Sequence, residues 1–267
     1  MIREPVFAGS WYPGKPAEMN RAIDGYLAEA PAAPAGALGV IAPHAGWIYS
    51  GHVAGAVYGG VEVPETAVVV CPSHTGLGSP RSLWPAGEWR IPGAALEVNV
   101  ALADLVGAHA DLESDTLAHA REHSLEIQLP FLARRRPGLS IVPICLGHLS
   151  FREIESIGKG IARAIEEHGR KAMLVASTDM SHHIPAARAE KLDRMAIERM
   201  EAFDPVGLLD TVRKNGITMC GVVPTTAVLV AAKALGAAGV KLVRYAHSGH
   251  VTGDDREVVG YAGLVIA

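Results

Sequence analysis

Side chains capable of metal binding or acid–base chemistry directly follow short apolar segments of this chain. His44 and His74 each follow one such segment, and Asp179 and His182 follow another. Neutral imidazole is the commonest protein ligand for metal ions. Ligand sites of open α/β sheets lie beyond the carboxyl ends of the strands. If the apolar segments are neighbouring strands, these four side chains meet at one rim of the sheet.

Cys220 has two interpretations. As a thiolate it would complete, with His44 and His74, a set of two nitrogens and one sulfur that suits zinc, copper or iron. As a neutral thiol it would be a small buried hydrophobic side chain, the commoner use of a free cysteine. The residue pattern alone leaves both interpretations open.

Three further residues are candidates for proton transfer. Asp179 precedes His182 by three residues, and a carboxylate can hold an imidazole in the tautomer of a general base. The alternative is a capping aspartate beside a surface histidine. His123 lies next to the apolar stripe of a predicted helix, where it is either a site residue or a packed histidine.

His247 and His250 have a spacing found in metal sites, within a glycine-containing loop. No predicted helix fixes the two rings, so a pair of loop histidines without a ligand role is the alternative. We assign no role to these two histidines or to His183, which directly follows His182. His148 follows a further strand and is also expected at the rim.

Apolar, β-branched runs alternate with helical patterns along the chain. The strands are expected at 37–42, 66–71, 139–145, 171–176, 240–245 and 258–266, and the helices at about 17–29, 52–60, 97–108, 122–135, 151–168, 187–202, 205–214 and 224–236. Strands that are apolar on both faces and separated by helices are typical of parallel sheets covered on both sides. We therefore predict one α/β domain over 1–267, with a central, largely parallel or mixed sheet flanked by helices.

Composition narrows the classes of function. Of 267 residues, 49% are hydrophobic, the net charge is -4 and the pI is about 6.3, so a basic surface for nucleic acid is not expected. The three cysteines form no CxxC pair, which favours a reducing compartment. With no signal peptide and no membrane span predicted, we expect a cytoplasmic protein. Dinucleotide, P-loop, GxSxG and HExxH motifs do not occur in the sequence.

Six short segments that span nearly the whole chain form a specific set: AGSWYP (8–13), IAPHAG (41–46), PSH (72–74), EHSLEIQLP (122–130), STDMSH (177–182) and CG (220–221). In sequence and in order they resemble the motifs of the Memo (mediator of cell motility) family, known in prokaryotes as the Memo-like component of the AmmeMemoRadiSam system.

The resemblance implies a fold similar to that of class III extradiol dioxygenases. It places a metal pocket on His44, His74 and Cys220, with iron or copper as the ion and zinc as a possibility. It adds His182 and Asp179 as catalytic residues lining that pocket, with His123 near it. A radical-SAM protein is an implied functional partner in prokaryotes.

We therefore expect a metal-dependent, dioxygenase-like oxidoreductase acting on an unidentified small molecule. The alternatives are a non-catalytic adaptor that binds a metal or a peptide, and a zinc-dependent hydrolase. The sequence departs from the family pattern at His183 and at His250, where we would expect another aromatic or polar residue and an aspartate, respectively.

Overall fold

Four buried parallel strands form the centre of the fold. The computed structural model describes residues 1–31 and 36–267. The parallel strands are hydrogen-bonded in the order β2, β9, β3, β8, and nearly all of their residues are buried. Val, Ile, Ala and Leu dominate these strands, as expected where helices cover both faces of a sheet.

The strands of the chain are β1 (Ile2–Arg3), β2 (Gly39–Ala42), β3 (Thr66–Pro72), β4 (Arg81–Leu83), β5 (Glu88–Ile91), β6 (Ala94–Glu97), β7 (Glu113–Ser114), β8 (Ser140–Leu146), β9 (Ala172–Ser177), β10 (His182–Ile184), β11 (Val240–His247) and β12 (Val258–Ile266). The helices are α1 (Pro16–Ala28), α2 (Trp47–Gly60), α3 (Val100–Ala110), α4 (Leu117–Ala120), α5 (His123–Glu126), α6 (Leu129–Arg135), α7 (Phe151–His168), α8 (Ala186–Glu201), α9 (Pro205–Asn215), α10 (Val222–Ala234) and α11 (Gly249–Thr252).

Antiparallel strands extend the parallel centre on both sides. β12 pairs antiparallel with β2, and β11 and β10 both pair antiparallel with β12. On the other side β4 pairs antiparallel with β8. β1, β5 and β6 form a separate small sheet. The main sheet is therefore mixed, which confirms the predicted α/β class.

The helices cover the two faces of the sheet. The chain crosses from β2 to β3 in one direction along the sheet and from β8 to β9 in the other, so right-handed connections place α2 and α7 on opposite faces. α10 packs against α7 and the parallel strands, and α1 packs against α2. None of the helices in the described ranges combines the length and apolar character needed to cross a bilayer.

The predicted strands are confirmed. Of the predicted helices, the one expected at 52–60 begins earlier, at Trp47, and the one expected at 122–135 is divided. The strand expected at 258–266 has those bounds, and Asp204 caps α9 by accepting a hydrogen bond from the Gly207 N–H at 2.8 Å. The helix expected at 122–135 is two helices, α5 and α6, because Pro130 favours the start of a new helix. Residues 76–93, where no strand or helix was expected, contain β4 and β5, and β5 forms a hairpin with β6.

Candidate metal centre

The carboxyl ends of β2, β3 and β9 meet at one rim, as predicted from the sequence. His44 comes two residues after β2 and its side chain is 1% exposed. Burial is the main cause that holds the pKa of His44 well below 6.5, and the neighbouring His74 lowers it further. His44 is therefore a neutral imidazole, the form that binds metal ions.

A hydrogen-bond network fixes the tautomer of His44. Nδ1 lies 2.9 Å from Oγ of Ser177, and that hydroxyl donates its proton to the Ser124 carbonyl oxygen at 2.6 Å. Gln128 Nε2 donates to the same hydroxyl at 2.8 Å. Because the Ser177 proton is committed to Ser124, the hydroxyl accepts from Nδ1–H of His44. The lone pair of His44 is therefore on Nε2.

His74 is oriented by a buried carboxylate. Glu122 accepts from the backbone N–H of His74 at 2.7 Å and from its Nδ1 at 2.8 Å. Although burial raises the pKa of Glu122, the hydrogen bonds and charge of His74 lower it to about 2. A carboxylate that fixes the tautomer of a histidine is the usual support of a metal ligand. Nε2 of His74 is left free for an ion, on a ring that is 32% exposed.

His123 begins α5 and joins the other two imidazoles. Its ring lies 4.5 Å from that of His74 and 5.3 Å from that of His44, measured between centroids. Trp11 covers it, with a centroid distance of 4.2 Å. Burial lowers the pKa of His123 to about 3, with His44 as a second cause, so this ring is also neutral. One ligand atom from each of the three histidines lies within 4.8 Å of the others.

Cys220 lies against His44, at the start of the turn before α10. Its Sγ is 3.2 Å from Nε2 of His44, and the backbone N–H of Asp179 donates to the sulfur at 3.3 Å. Two ligands of one ion, at bond lengths of about 2.0 and 2.3 Å, lie about 3.1–3.6 Å apart. The His44–Cys220 pair therefore has the separation of two ligands of one ion. The three rim side chains whose ligand atoms all lie within 4.8 Å of one another are His44, His74 and His123. Cys220 is not part of this group.

The thiol of Cys220 is protonated without an ion. Burial raises its pKa, and the nearby Asp179 carboxylate raises it further. The thiol proton then points to Nε2 of His44, the lone-pair nitrogen. A cation bound between them would replace this proton, because metal ions bind the thiolate.

Asp179 and His182 are arranged differently from the expected pair. Oδ1 of Asp179 accepts from the backbone N–H groups of His44 and Ala45, at 2.8 and 3.3 Å. Nδ1 of His182 lies 3.0 Å from the Thr218 carbonyl oxygen. Asp179 thus fixes the His44 loop, while Thr218 orients His182. A carbonyl oxygen only accepts, so Nδ1 of His182 carries the proton and Nε2 can take up another.

A cleft of about 610 Å³ opens onto these residues. His44, His74, His123, Asp179 and His182 line one part of it. The apolar part of the lining consists of Trp11, Ile48, Tyr49, Val259 and Tyr261. A few convergent polar groups beside an apolar wall are typical of a small-molecule site.

The residues that support the site were not found from the sequence. Glu126 is fully buried and accepts hydrogen bonds from the N–H groups of Val6 and Phe7, from the Tyr12 hydroxyl and from Arg3. These bonds hold the N-terminal segment, and so Trp11, over His123. One sequence signal could have identified Glu126. It is an acidic residue within the apolar stripe of 122–130, where an exposed residue is not expected.

Two other rim histidines lie outside the three-imidazole group. His183 lines the cleft, has a positive φ of 55° and is exposed. His148 is exposed and lines a neighbouring depression with His74 and residues 75–80.

The chain matches known proteins along nearly its whole length. A family model described as Memo-like protein matches residues 3–265. The MEMO1 family protein MK0963 of Methanopyrus kandleri is 39% identical over 99% of both chains. MTH_45, a MEMO1 family protein of Methanothermobacter thermautotrophicus, is 39% identical over 99% of this chain and 100% of its own. A MEMO1 family protein of Aquifex aeolicus is 37% identical over 99% of this chain and 98% of its own.

Proposed function

The chain belongs to the family of Memo-like proteins, and on that premise we propose that its cleft binds one transition-metal ion for oxidation of a small organic substrate. Iron or copper is the proposed ion. The observation that carries the proposal is the approach of Sγ of Cys220 to Nε2 of His44, at 3.2 Å, on a histidine whose tautomer is fixed.

The donor set fits such an ion. His44, His74 and Cys220 are the proposed ligands, and His123 is close enough to replace or join the sulfur. Thiolate is a softer ligand than carboxylate, so Cys220 favours copper, zinc or iron over magnesium or calcium. When bound, iron or copper would supply redox chemistry, and zinc would supply Lewis acidity.

The other cleft residues have roles that follow from their contacts. The apolar wall around Trp11 and Tyr261 would hold the carbon skeleton of the substrate and exclude water. His182 lines the cleft with a lone pair on Nε2 and would accept a substrate proton. Asp179 would act as a positioning residue, since its carboxylate holds the backbone of the His44 loop. From the family resemblance alone, we also propose a radical-SAM protein as a functional partner.

Metal analysis and oxygen uptake together test the proposal. The protein should be expressed without added metal, purified anaerobically and analysed for bound metals, and oxygen consumption should then be measured with candidate aromatic substrates. Iron or copper at one ion per chain with oxygen uptake supports the proposal. Zinc with ester or amide cleavage would replace it by a hydrolase. A chain that binds no added metal but binds peptide would replace it by an adaptor.

Substitution of Cys220 identifies the ligand set. Cys220→Ser should lower metal affinity more than tenfold, because serine stays protonated near neutral pH. Cys145→Ser is the matched control, since the Cys145 thiol lies against the carbonyl oxygens of Pro72 and Ala118, whereas the Cys220 thiol lies against Nε2 of His44. An unchanged affinity in Cys220→Ser would assign the third ligand to His123 instead.

A further inference from the structure

A second group of metal-binding side chains lies outside the cleft cluster. Glu190 of α8, His247 at the end of β11 and His250 of α11 each offer one ligand atom, and these atoms lie within 4.8 Å of one another. Two segments of the chain, α8 and the turn from β11 to α11, therefore bring two imidazoles and a carboxylate together. We propose that this group is a second binding site for a divalent transition-metal ion of the zinc, cobalt or nickel class.

His247 has the strongest indication of a missing ligand. Its side chain is 3% exposed, and Nδ1 is buried without a hydrogen-bond partner among the described residues. Nε2 lies 3.5 Å from Oε1 of Glu190, and Nδ1 lies 3.9 Å from Oδ1 of Asp255. Both separations exceed an ordinary hydrogen bond. Glu190 therefore faces Nε2 and Asp255 faces Nδ1, so a cation beside Glu190 would bind Nε2 and place the ring proton on Nδ1, toward the Asp255 carboxylate.

The backbone around His247 is held in place, and the side chains of Glu190 and His250 can adjust once the 3.4 Å hydrogen bond from the His247 N–H to Nδ1 of His250 is given up. Ser248 N–H donates to the Val259 carbonyl at 2.9 Å, and Ala186 N–H donates to the Asp255 carbonyl at 2.9 Å. These bonds fix the turn after β11 against β12 and α8. Glu190 and His250 are exposed. Two nitrogen or oxygen ligands of one tetrahedral ion lie about 3.4 Å apart, so movements of about 1–1.5 Å by these two exposed side chains would close the set.

The local charge also favours a cation. Two carboxylates, Glu190 and Asp255, face the single ring of His247, and the ring of His250 lies against it with centroids 3.8 Å apart. Two imidazoles and one carboxylate suit zinc and related divalent ions. Asp255 faces Nδ1, on the other side of the ring from Glu190, so it would orient His247 and would not bind the same ion.

Cobalt binding in a background without the cleft site tests this proposal independently of the proposed function. His74→Ala combined with Cys220→Ser removes two cleft ligands, and Co²⁺ is then titrated by calorimetry and by its visible absorption. We expect one Co²⁺ per chain with a Kd below about 0.1 mM. Adding His250→Ala, or separately Glu190→Gln, should weaken binding at least tenfold. The control His109→Ala removes a histidine that pairs with a single carboxylate, Glu167, and should leave binding unchanged.

The site is also tested in the unsubstituted chain. Crystals soaked in Co²⁺ should show an anomalous peak between His247 and His250, so the result does not depend on folding of the multiple variants. Co²⁺ affinity unchanged by both His250→Ala and Glu190→Gln, or the lack of a peak at these residues at about 1 mM Co²⁺, would overturn the proposal.

Discussion

Replacing His119 should make the protein markedly less sensitive to mild acid. The side chain is fully buried, and the rings of Trp84 and Trp89 lie edge-on to it, with centroids 6.0 and 5.7 Å away. Among the described residues, neither ring nitrogen has a hydrogen-bond partner of ordinary geometry. Burial is the main cause that lowers the pKa of His119 from 6.5 to about 4. The folded protein therefore holds this ring neutral where the unfolded chain would protonate it.

The sign and size of the effect follow from this difference. The contribution of His119 to stability is present above pH 6.5, the unfolded value, and is lost as the pH falls toward about 4, the folded value. At 1.36 kcal/mol per pKa unit, the loss reaches about 2 kcal/mol at about pH 5 and about 3 kcal/mol at about pH 4. His44 and His123 have pKa values lowered in the same direction. Both histidines remain in a His119 variant, so their contributions to the pH dependence of stability cancel when the variant is compared with the unsubstituted protein.

Urea unfolding at about pH 7.5 and about pH 5, with metal removed by chelator, measures the difference. His119→Phe should lose about 2 kcal/mol less than the unsubstituted protein between the two pH values. His119→Leu covers the case in which phenylalanine is too large for the site. His148→Ala removes an exposed histidine and should keep the full pH dependence. If both His119 variants lose as much stability as the unsubstituted protein, burial does not keep this ring neutral.

Three further changes probe the cleft and its support. Glu122→Gln should lower metal affinity about 10–100-fold, measured by chelator competition, because the carboxylate that orients His74 is lost. His182→Ala should leave metal content unchanged and abolish oxygen uptake, and loss of the metal instead would make His182 a ligand. Glu126→Gln should lower the free energy of unfolding by about 3–5 kcal/mol, because it leaves the buried Arg3 guanidinium without its carboxylate. Urea unfolding checks this value, and a loss below about 1 kcal/mol would contradict the assigned role of the pair.

Strand positions and the meeting of the rim residues were predictable because they depend on local patterns. β-branched apolar runs identify β2, β3, β8 and β9. The residues that follow parallel strands then lie at the same edge of the sheet, beyond the carboxyl ends of the strands. This is why His44 and His74 are neighbours although 30 residues of sequence separate them, with ring centroids 5.2 Å apart. The short strands β1, β7 and β10 have only two or three residues each, too few for a periodic pattern.

The hydrogen-bond partners were not predictable, because they depend on distances between segments far apart in the sequence. A carboxylate three residues from an imidazole indicated an Asp179–His182 pair. In the fold, the strand end turns Asp179 toward the N–H groups of His44 and Ala45, and Thr218 takes its place beside His182. The spacing therefore placed both residues at the rim of the sheet, but it did not identify their hydrogen-bond partners.

The same limitation affected His247 and His250, whose spacing alone gave no reason to prefer a ligand role. The fold supplies what the spacing lacks. α8 brings the carboxylate of Glu190 to the pair, and Nδ1 of His247 is buried without a partner in the described part of the chain. The two histidine groups therefore differ in how they are prepared for an ion. In the cleft, Ser177 and Glu122 already fix the tautomers of His44 and His74. At His247 no such partner is in place, so a bound cation would have to order the exposed ligands itself. That ordering costs side-chain entropy, and we therefore expect the cleft to bind a given ion more tightly than the second group.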